Sequence, residues 1–374
     1  MKVLVINWRC IKNPEAGGAE VYIDEILKRK PAHWNVDFVA TRFPGAPETE
    51  EINGYTVHRI PNNFLFNFTF KQQWKRRFSK IGYDLVVDVM SKIPLATPNY
   101  IQDVPLMGIH YHIHGLSLFK ELNPLPAAYV YWMEKWLLKA YKNLPLLLIA
   151  ESDQAELRQR YGNTDLTIAY CGIDRHFMEN QDPLAKSETP TLFYFGRLKK
   201  YKRVDHLILA FVEVLKKIPN AQLIIAGKGD DEPRLIELVK TLGLESSVQF
   251  LGFISEEEKG QWCSKAWAFA ITSEKEGWGI VVIEANAGAV PVVGYNVEGV
   301  RNSIHDGYSG FLVENGNLQQ LAEKLTLLMT DGNLRASMSQ NALEWSRKFD
   351  WDKTAAGFLE LANRVVETHK KANR

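Results

Sequence analysis

Cysteine is scarce in this chain, and net charge is almost absent. The 3 cysteines, Cys10, Cys171 and Cys263, stand far apart without a CxxC pair. That spacing excludes a disulfide framework and a thiolate metal site, and it leaves free thiols in a reducing compartment as the expectation. Lys and Arg number 45 against 44 Asp and Glu, a formal charge of +1. A general nucleic-acid binder is excluded on that ground, because such proteins carry a distinct basic excess. Long apolar runs are missing too. The longest, Leu144 to Ala150, is broken by Pro145 and falls far short of the roughly 20 residues that span a bilayer. Strand-like residues 2–7 begin at once, which leaves no room for a signal peptide and makes a cytoplasmic protein the expectation, with attachment to a membrane surface left open. The GxGxxG fingerprint of dinucleotide-binding folds is also absent, which disfavours an NAD-dependent dehydrogenase.

Against those absences stand 374 residues, 46% hydrophobic and 24% charged, enough chain for two cores. Strand-like and helical patterns alternate throughout, which predicts an α/β fold with parallel sheets. In the first half, strands are predicted at 2–7, 36–41, 84–89, 105–110 and 146–150. Helical patterns cover 18–30, 126–142 and 152–161, with Ser152 as the N-cap of the last. In the second half, strands are predicted at 191–196, 221–227, 248–252, 268–272, 290–294 and 310–313. After the first of these, Leu207, Ile208, Phe211, Val214, Leu215 and Ile218 recur at the spacing of one buried helix face. The polar stretch 180–190 holds two prolines and reads as a linker, so a domain boundary is expected between 172 and 188. Two doubly wound domains in series should bind ligand beyond the carboxyl ends of their strands, in a cleft between them.

The most informative stretch is 272–288, TSEKEGWGIVVIEANAG, which sets Glu276 and Glu284 eight positions apart around a Gly-Trp-Gly turn. A loop entering a helix offers unpaired N–H groups and a positive dipole end, which suit a diphosphate. Gly277 and Gly279 allow close backbone approach to a ligand. Glu276 on the loop could reach a sugar, and Glu284 in the second helical turn could reach ribose hydroxyls. A sugar joined to a nucleoside diphosphate satisfies all three features.

Other segments carry weaker signals. Gly196-Arg197 through Lys202 follows the first strand of the second domain. Arg197 there offers a fixed fork for phosphate oxygens and Lys202 a mobile charge, unless the run is only a solvated basic turn. Gly17-Gly18 follows the first strand of the chain and opens a helix, so a ligand could press on the backbone there, although a flexible loop explains the pair equally. His110, His112 and His114 alternate just past a strand. They have no carboxylate partner nearby in sequence, which argues against a metal site. His110, nearest the strand end, is the best placed to face a substrate. Asp350 and Asp352 form an acidic DxD pair, but they precede a helical run, where helix capping is expected.

Taken in order, the Gly17-Gly18 loop, His110, Gly196-Arg197 with Lys202, the Gly227-Lys-Gly229 turn and Glu276 with Glu284 resemble the retaining glycosyltransferases of family 4. The resemblance covers nearly the whole chain. It implies the GT-B fold, with Rossmann-like domains at 1–175 and 176–350 and a C-terminal helix, about 351–374, crossing back to the first. It also implies that the first domain takes the acceptor and the second the nucleotide-sugar donor. Arg197 and Lys202 would hold the diphosphate, and Glu284 the ribose. Glu276 would contact the sugar beside the N–H groups of Gly277, Trp278, Gly279 and Ile280. Phe253 would meet the base, Gly17 and Gly18 would line the phosphate and acceptor side, and His110 would sit near the donor sugar. No metal is implied, because Arg197 and Lys202 supply the positive charge. Trp278 departs from the family, which more often has phenylalanine there.

The implied reaction moves a hexose from a UDP-glucose-like donor, or GDP-mannose, to a glycan or lipid-linked acceptor with retention. A sugar-nucleotide epimerase on the same scaffold, or a non-catalytic nucleotide-sugar binder, stands as the alternative. Two stretches interleave aromatic and basic residues, Phe64 to Phe78 and Tyr129 to Lys142. Each reads either as an interfacial helix on an anionic membrane or as a helix packed into the domain with a solvated basic edge.

Overall fold

The structure is a computed structural model describing residues 1–61, 66–115, 118–121, 123–151, 153–162, 164–178 and 181–372. It divides into two units, Met1–Gly172 with Trp351–Arg374, and Ile173–Asp350.

Among the described residues, the first unit holds β1 (Lys2–Ile6), β2 (Asn35–Thr41), β3 (Thr49–Ile52), β4 (Tyr55–Ile60), β5 (Leu85–Val89), β6 (Leu106–His110), β7 (Leu146–Leu148) and β8 (Leu166–Ile168). They form one sheet in the order β3-β4-β2-β1-β5-β6-β7-β8. Its pairs are parallel except β3 with β4. The central strands are apolar on both faces and fully covered, as parallel strands flanked by helices require. The β3–β4 hairpin was not anticipated. β3 is polar, Thr-Glu-Glu before Ile52, although β4 alternates with Tyr55 and Val57 buried, and the clearest signal lies in Asn53-Gly54, both at positive φ (47° and 78°), the turn that matches strand twist. The three-residue β8 was also missed.

The helix Gly18–Lys28 buries Tyr22, Ile23, Ile26 and Leu27. Against it packs the helix Trp351–Ala372, which buries Trp351, Ala355, Phe358, Leu361, Ala362 and Val365 along one face. The C-terminal helix therefore belongs to the first unit. Asp352 lies in its first turn and accepts from Arg29 Nε at 2.7 Å, tying it to the end of the helix Gly18–Lys28.

The helix expected over 126–142 runs Pro124–Leu137 and tightens into a turn at Leu138–Tyr141. Pro124 begins it without cost, since a first-turn residue needs no N–H partner. Ser152 and residues 64–65 of the first aromatic stretch lie outside the described residues. In the rest of that stretch, Phe66, Phe70, Trp74 and Phe78 belong to the core of the first unit. Of the two readings of this stretch, it takes the packed one.

Among the described residues, the second unit holds β9 (Thr191–Phe195), β10 (Gln222–Ala226), β11 (Val248–Gly252), β12 (Ala268–Ile271), β13 (Val292–Tyr295) and β14 (Gly310–Val313). All are parallel, in the order β11-β10-β9-β12-β13-β14. The order reverses between β9 and β12, which places the loops after these two strands side by side. The helix Val204–Lys217 buries the expected Leu207, Ile208, Phe211 and Val214.

Candidate functional site

The site is best seen from the loop after β9. Gly196 N donates to Ala226 O at 3.0 Å, and Leu198 N to Lys228 O at 3.0 Å. This loop is thereby sewn to the turn after β10. Glycine is required in that turn, because a Cβ at Gly227 or Gly229 would lie 1.9 Å from Gly196 O or 1.8 Å from Leu198 O. The chain then makes a single tight turn, Lys200–Lys202, and passes through Arg203 at φ 48° before the helix Val204–Lys217. A non-glycine residue there costs about 1 kcal/mol. Three contacts hold it. Thr272 Oγ1 donates to Lys202 O and Arg203 O (2.9 and 2.8 Å), and Glu274 N donates to Tyr201 O at 2.9 Å. The Arg203 guanidinium pairs with Glu274 and donates to Asn315 Oδ1 at 3.0 Å.

This clamp brings Lys202 against Glu276. Lys202 Nζ forms an ion pair with Glu276 Oε1, and Ser273 Oγ donates to the same oxygen at 2.5 Å. Both charged side chains are largely buried. The backbone of Glu276 is seated on the loop after β13, where its N–H donates to Glu298 O at 3.2 Å. Arg197 is exposed and donates to the Tyr201 hydroxyl at 3.2 Å, while Lys202 lies 5.3 Å from the Tyr201 ring centre. Arg197 and Lys202 thus meet at one tyrosine, and Glu276 joins them through Lys202, at the switch point of the sheet.

The helix Ile280–Ala287 starts from Gly279, held at φ 76° as only glycine does readily. Glu284 lies one turn in, and its Oε1 accepts from Lys259 Nζ at 2.7 Å. Trp278 is buried, with its ring 5.4 Å from that of Phe349. Phe253 follows the end of β11 and is exposed. Sequence reasoning missed Lys259, Ser273 and Tyr201. For Lys259 a signal existed, since it precedes the apolar Cys263 by four residues on the buried side of its helix.

Three predicted residues lie in the first unit. Gly17 caps the helix Gly18–Lys28, its N–H donating to Glu20 Oε2 at 2.7 Å. A Cβ at Gly18 would meet nothing within 4 Å, so packing does not demand glycine there. His110 ends β6, buried, with Nε2 2.9 Å from Asp153 Oδ2. No carboxylate stands near the histidines in sequence, but the fold brings two in from a distance. Asp153 serves His110, and Glu134 lies 3.2 Å from His114 Nδ1, both brought in by later helices. Burial would raise the Glu134 carboxyl, but hydrogen bonds from His114 and Gly115 outweigh it and hold it below the usual range. Each of these two histidines has its own carboxylate. Among the described residues, no three His, Cys, Asp or Glu side chains gather as metal ligands do.

Two Rossmann-like α/β units, the second carrying basic and acidic side chains at its switch point, make up the GT-B fold. Residues 16–177 match the Glycosyltransferase Family 4 family, and residues 177–345 match Glycosyl transferases group 1. An uncharacterized glycosyltransferase of Haemophilus influenzae is 31% identical over 348 residues, 90% of this chain and 94% of that protein. The chain belongs to the family 4 (group 1) glycosyltransferases. It is also 31% identical to a D-inositol 3-phosphate glycosyltransferase of Nocardioides over 246 residues, 59% of this chain but only 54% of that protein. In fold it is similar to sucrose-phosphate synthase of Thermosynechococcus elongatus, with a TM-score of 0.78 at 21% identity over 98% of this chain and 99% of the other. HepE of Anabaena, solved with UDP-glucose, gives a TM-score of 0.69 at 20% identity over 99% and 100%.

Proposed function

We propose that this protein transfers a hexose from a nucleoside-diphosphate sugar to a glycan or lipid-linked acceptor, with retention and without a metal ion. The observation that carries the reading is the Lys202–Glu276 pair, seated beside the start of the helix Ile280–Ala287. A diphosphate there would meet Arg197 and Lys202, whose charge grows more valuable as the leaving group becomes more anionic. The sugar would meet Glu276 and the N–H groups of Gly277 to Ile280, the ribose Glu284, and the base Phe253. The second unit is then the donor side. The first is the acceptor side, with Gly17 and Gly18 lining it and His110 near the sugar. UDP-glucose, with which HepE was solved, supports a uridine donor, and GDP-mannose is the second candidate.

Glu276 is a poor nucleophile, because Lys202 and Ser273 both hold its Oε1. The favoured route is front-face transfer. The bond from C1 to the phosphate oxygen breaks, the acceptor oxygen bonds C1 on the same face, and the acceptor proton passes to the departing phosphate. Cell-surface glycan or glycolipid synthesis at the cytoplasmic side of a membrane is the setting proposed. No helix among the described residues is long and apolar enough to cross a membrane.

Product analysis with UDP-glucose and GDP-mannose tests the reading. Slow release of free sugar without acceptor, stimulated by added acceptor and unchanged by chelator, is expected. An epimerised sugar nucleotide made from donor alone would establish the epimerase instead, and a rate lost to chelator and restored by a divalent cation would contradict the metal-free route.

A further inference from the structure

We infer that Lys259 orients Glu284 for the donor ribose and is a positioning residue for the nucleoside half of the substrate. The inference rests on the ribose role proposed above for Glu284. Lys259 lies on the helix Glu256–Lys265, with its side chain 9% exposed. A buried ammonium is costly unless it is paired. Here it stands 2.7 Å from Glu284 Oε1 and 2.7 Å from Glu256 Oε2. The two partners are not equivalent, since Glu256 is 71% exposed and Glu284 only 18%. Water screens the first pair, so the contact with Glu284 dominates. The rings of Phe177 and Phe195 stand 4.7 and 5.7 Å from the ammonium and wall it in.

The backbone is built to bring this lysine in. A Cβ at Gly260 would lie 1.8 Å from Phe177 O, so only glycine lets the helix press so close to that segment. Phe195 ends β9, directly before Gly196 and Arg197. Lys259 therefore ties three parts of the second unit together: the end of β9, its own helix and the helix Ile280–Ala287.

The consequence concerns the remaining oxygen of Glu284. Oε1 is taken by Lys259, and Oε2 has no hydrogen-bond partner among the described residues. A carboxylate fixed through one oxygen keeps lone pairs on the other for two hydroxyl donors, the number a ribose presents at its 2′ and 3′ positions. Glu276 repeats the arrangement, its Oε1 held by Lys202 and Ser273. Fixing such an acceptor before the ligand arrives removes an ordering cost from binding.

The test is calorimetric. Whichever of UDP and GDP binds the wild type more tightly is compared with its 2′,3′-dideoxy form. Wild type should prefer the parent by roughly tenfold or more, the value of hydrogen bonds to a charged acceptor. Lys259→Met should bind the parent about tenfold less tightly and the dideoxy form as before, collapsing the preference, by the same hydrogen-bond energy. Lys259→Gln, which keeps a polar end and covers a failure of the Met variant to fold, should lower the preference too, and Lys259→Arg should restore it. Equal weakening of both ligands, or an unchanged preference in the Met and Gln variants, would overturn the positioning role alone. A wild type that binds both forms equally would overturn the ribose role of Glu284, and the inference with it.

Discussion

Asp88, at the end of β5, is a fully buried carboxylate with no cation paired to it among the described residues. Thr97 and Tyr141 both donate to its Oδ2, while Oδ1 has no partner among the described residues. Burial raises its pKa from 3.8 to about 6, although the two hydroxyl donors pull the other way. The folded state therefore holds a proton between about pH 4 and 6 that the unfolded state has lost, so stability falls as pH rises through that window. The penalty above it is on the order of 3 kcal/mol. Asp88→Asn should match wild type in Tm at pH 4, gain on it as pH rises to about 6 and hold that gain above it; a difference independent of pH would refute this account. Residues of this kind were the least legible in the sequence. His110 was singled out from a strand end, but its partner Asp153 is 43 residues away and no local pattern could supply it. Lys259 follows three glutamates in the helix Glu256–Lys265, and only its spacing to Cys263 marks it as facing inward.

At the level of elements, parallel strands were legible because burial on both faces makes them continuous apolar runs, as in β1, β5 and β9. The same argument located the loops after β9 and β12, and with them the cluster around Lys202. The two aromatic stretches were ambiguous, because spacing gives a face but not what covers it. The first is core. The second, on the helix Pro124–Leu137, exposes Leu125, Tyr129, Trp132 and Trp136 along one side, with both tryptophans about two-thirds exposed (66% and 67%). Its acid Glu134 is buried, taking N–H groups of His114 and Gly115, and Lys135 lies 4.7 Å from the Tyr131 ring. Exposed tryptophan and tyrosine beside lysine suit a membrane interface, which would give access to a lipid-linked acceptor. The protein should co-sediment with vesicles rich in anionic lipid at low salt and less at high salt, and Trp132→Ala with Trp136→Ala should lose most of that binding. Wild-type protein left in the supernatant at low salt would remove the membrane from the account.

The whole molecule joins two α/β units whose sequences match the two family descriptions in turn, 16–177 and 177–345. Family membership was legible because an ordered set of weak motifs is far rarer than any one of them. The donor, acceptor and linkage were not, since the residues that select them are dispersed over many loops. The chain spans about half the length of the D-inositol 3-phosphate glycosyltransferases it matches, and those names do not transfer to it. What the fold does fix is the crowding of Arg197, Lys202 and Glu276 at the reversal of strand order in the second unit. The most direct measurement is a calorimetric titration of UDP and GDP into wild type, Arg197→Ala, Lys202→Met and the surface control Lys217→Ala. A grip on the diphosphate predicts binding of one nucleotide by wild type and the control. Each site variant should lose roughly tenfold or more, the worth of a charge-assisted hydrogen bond. Equal affinities across all four proteins, or no binding by any, would contradict it.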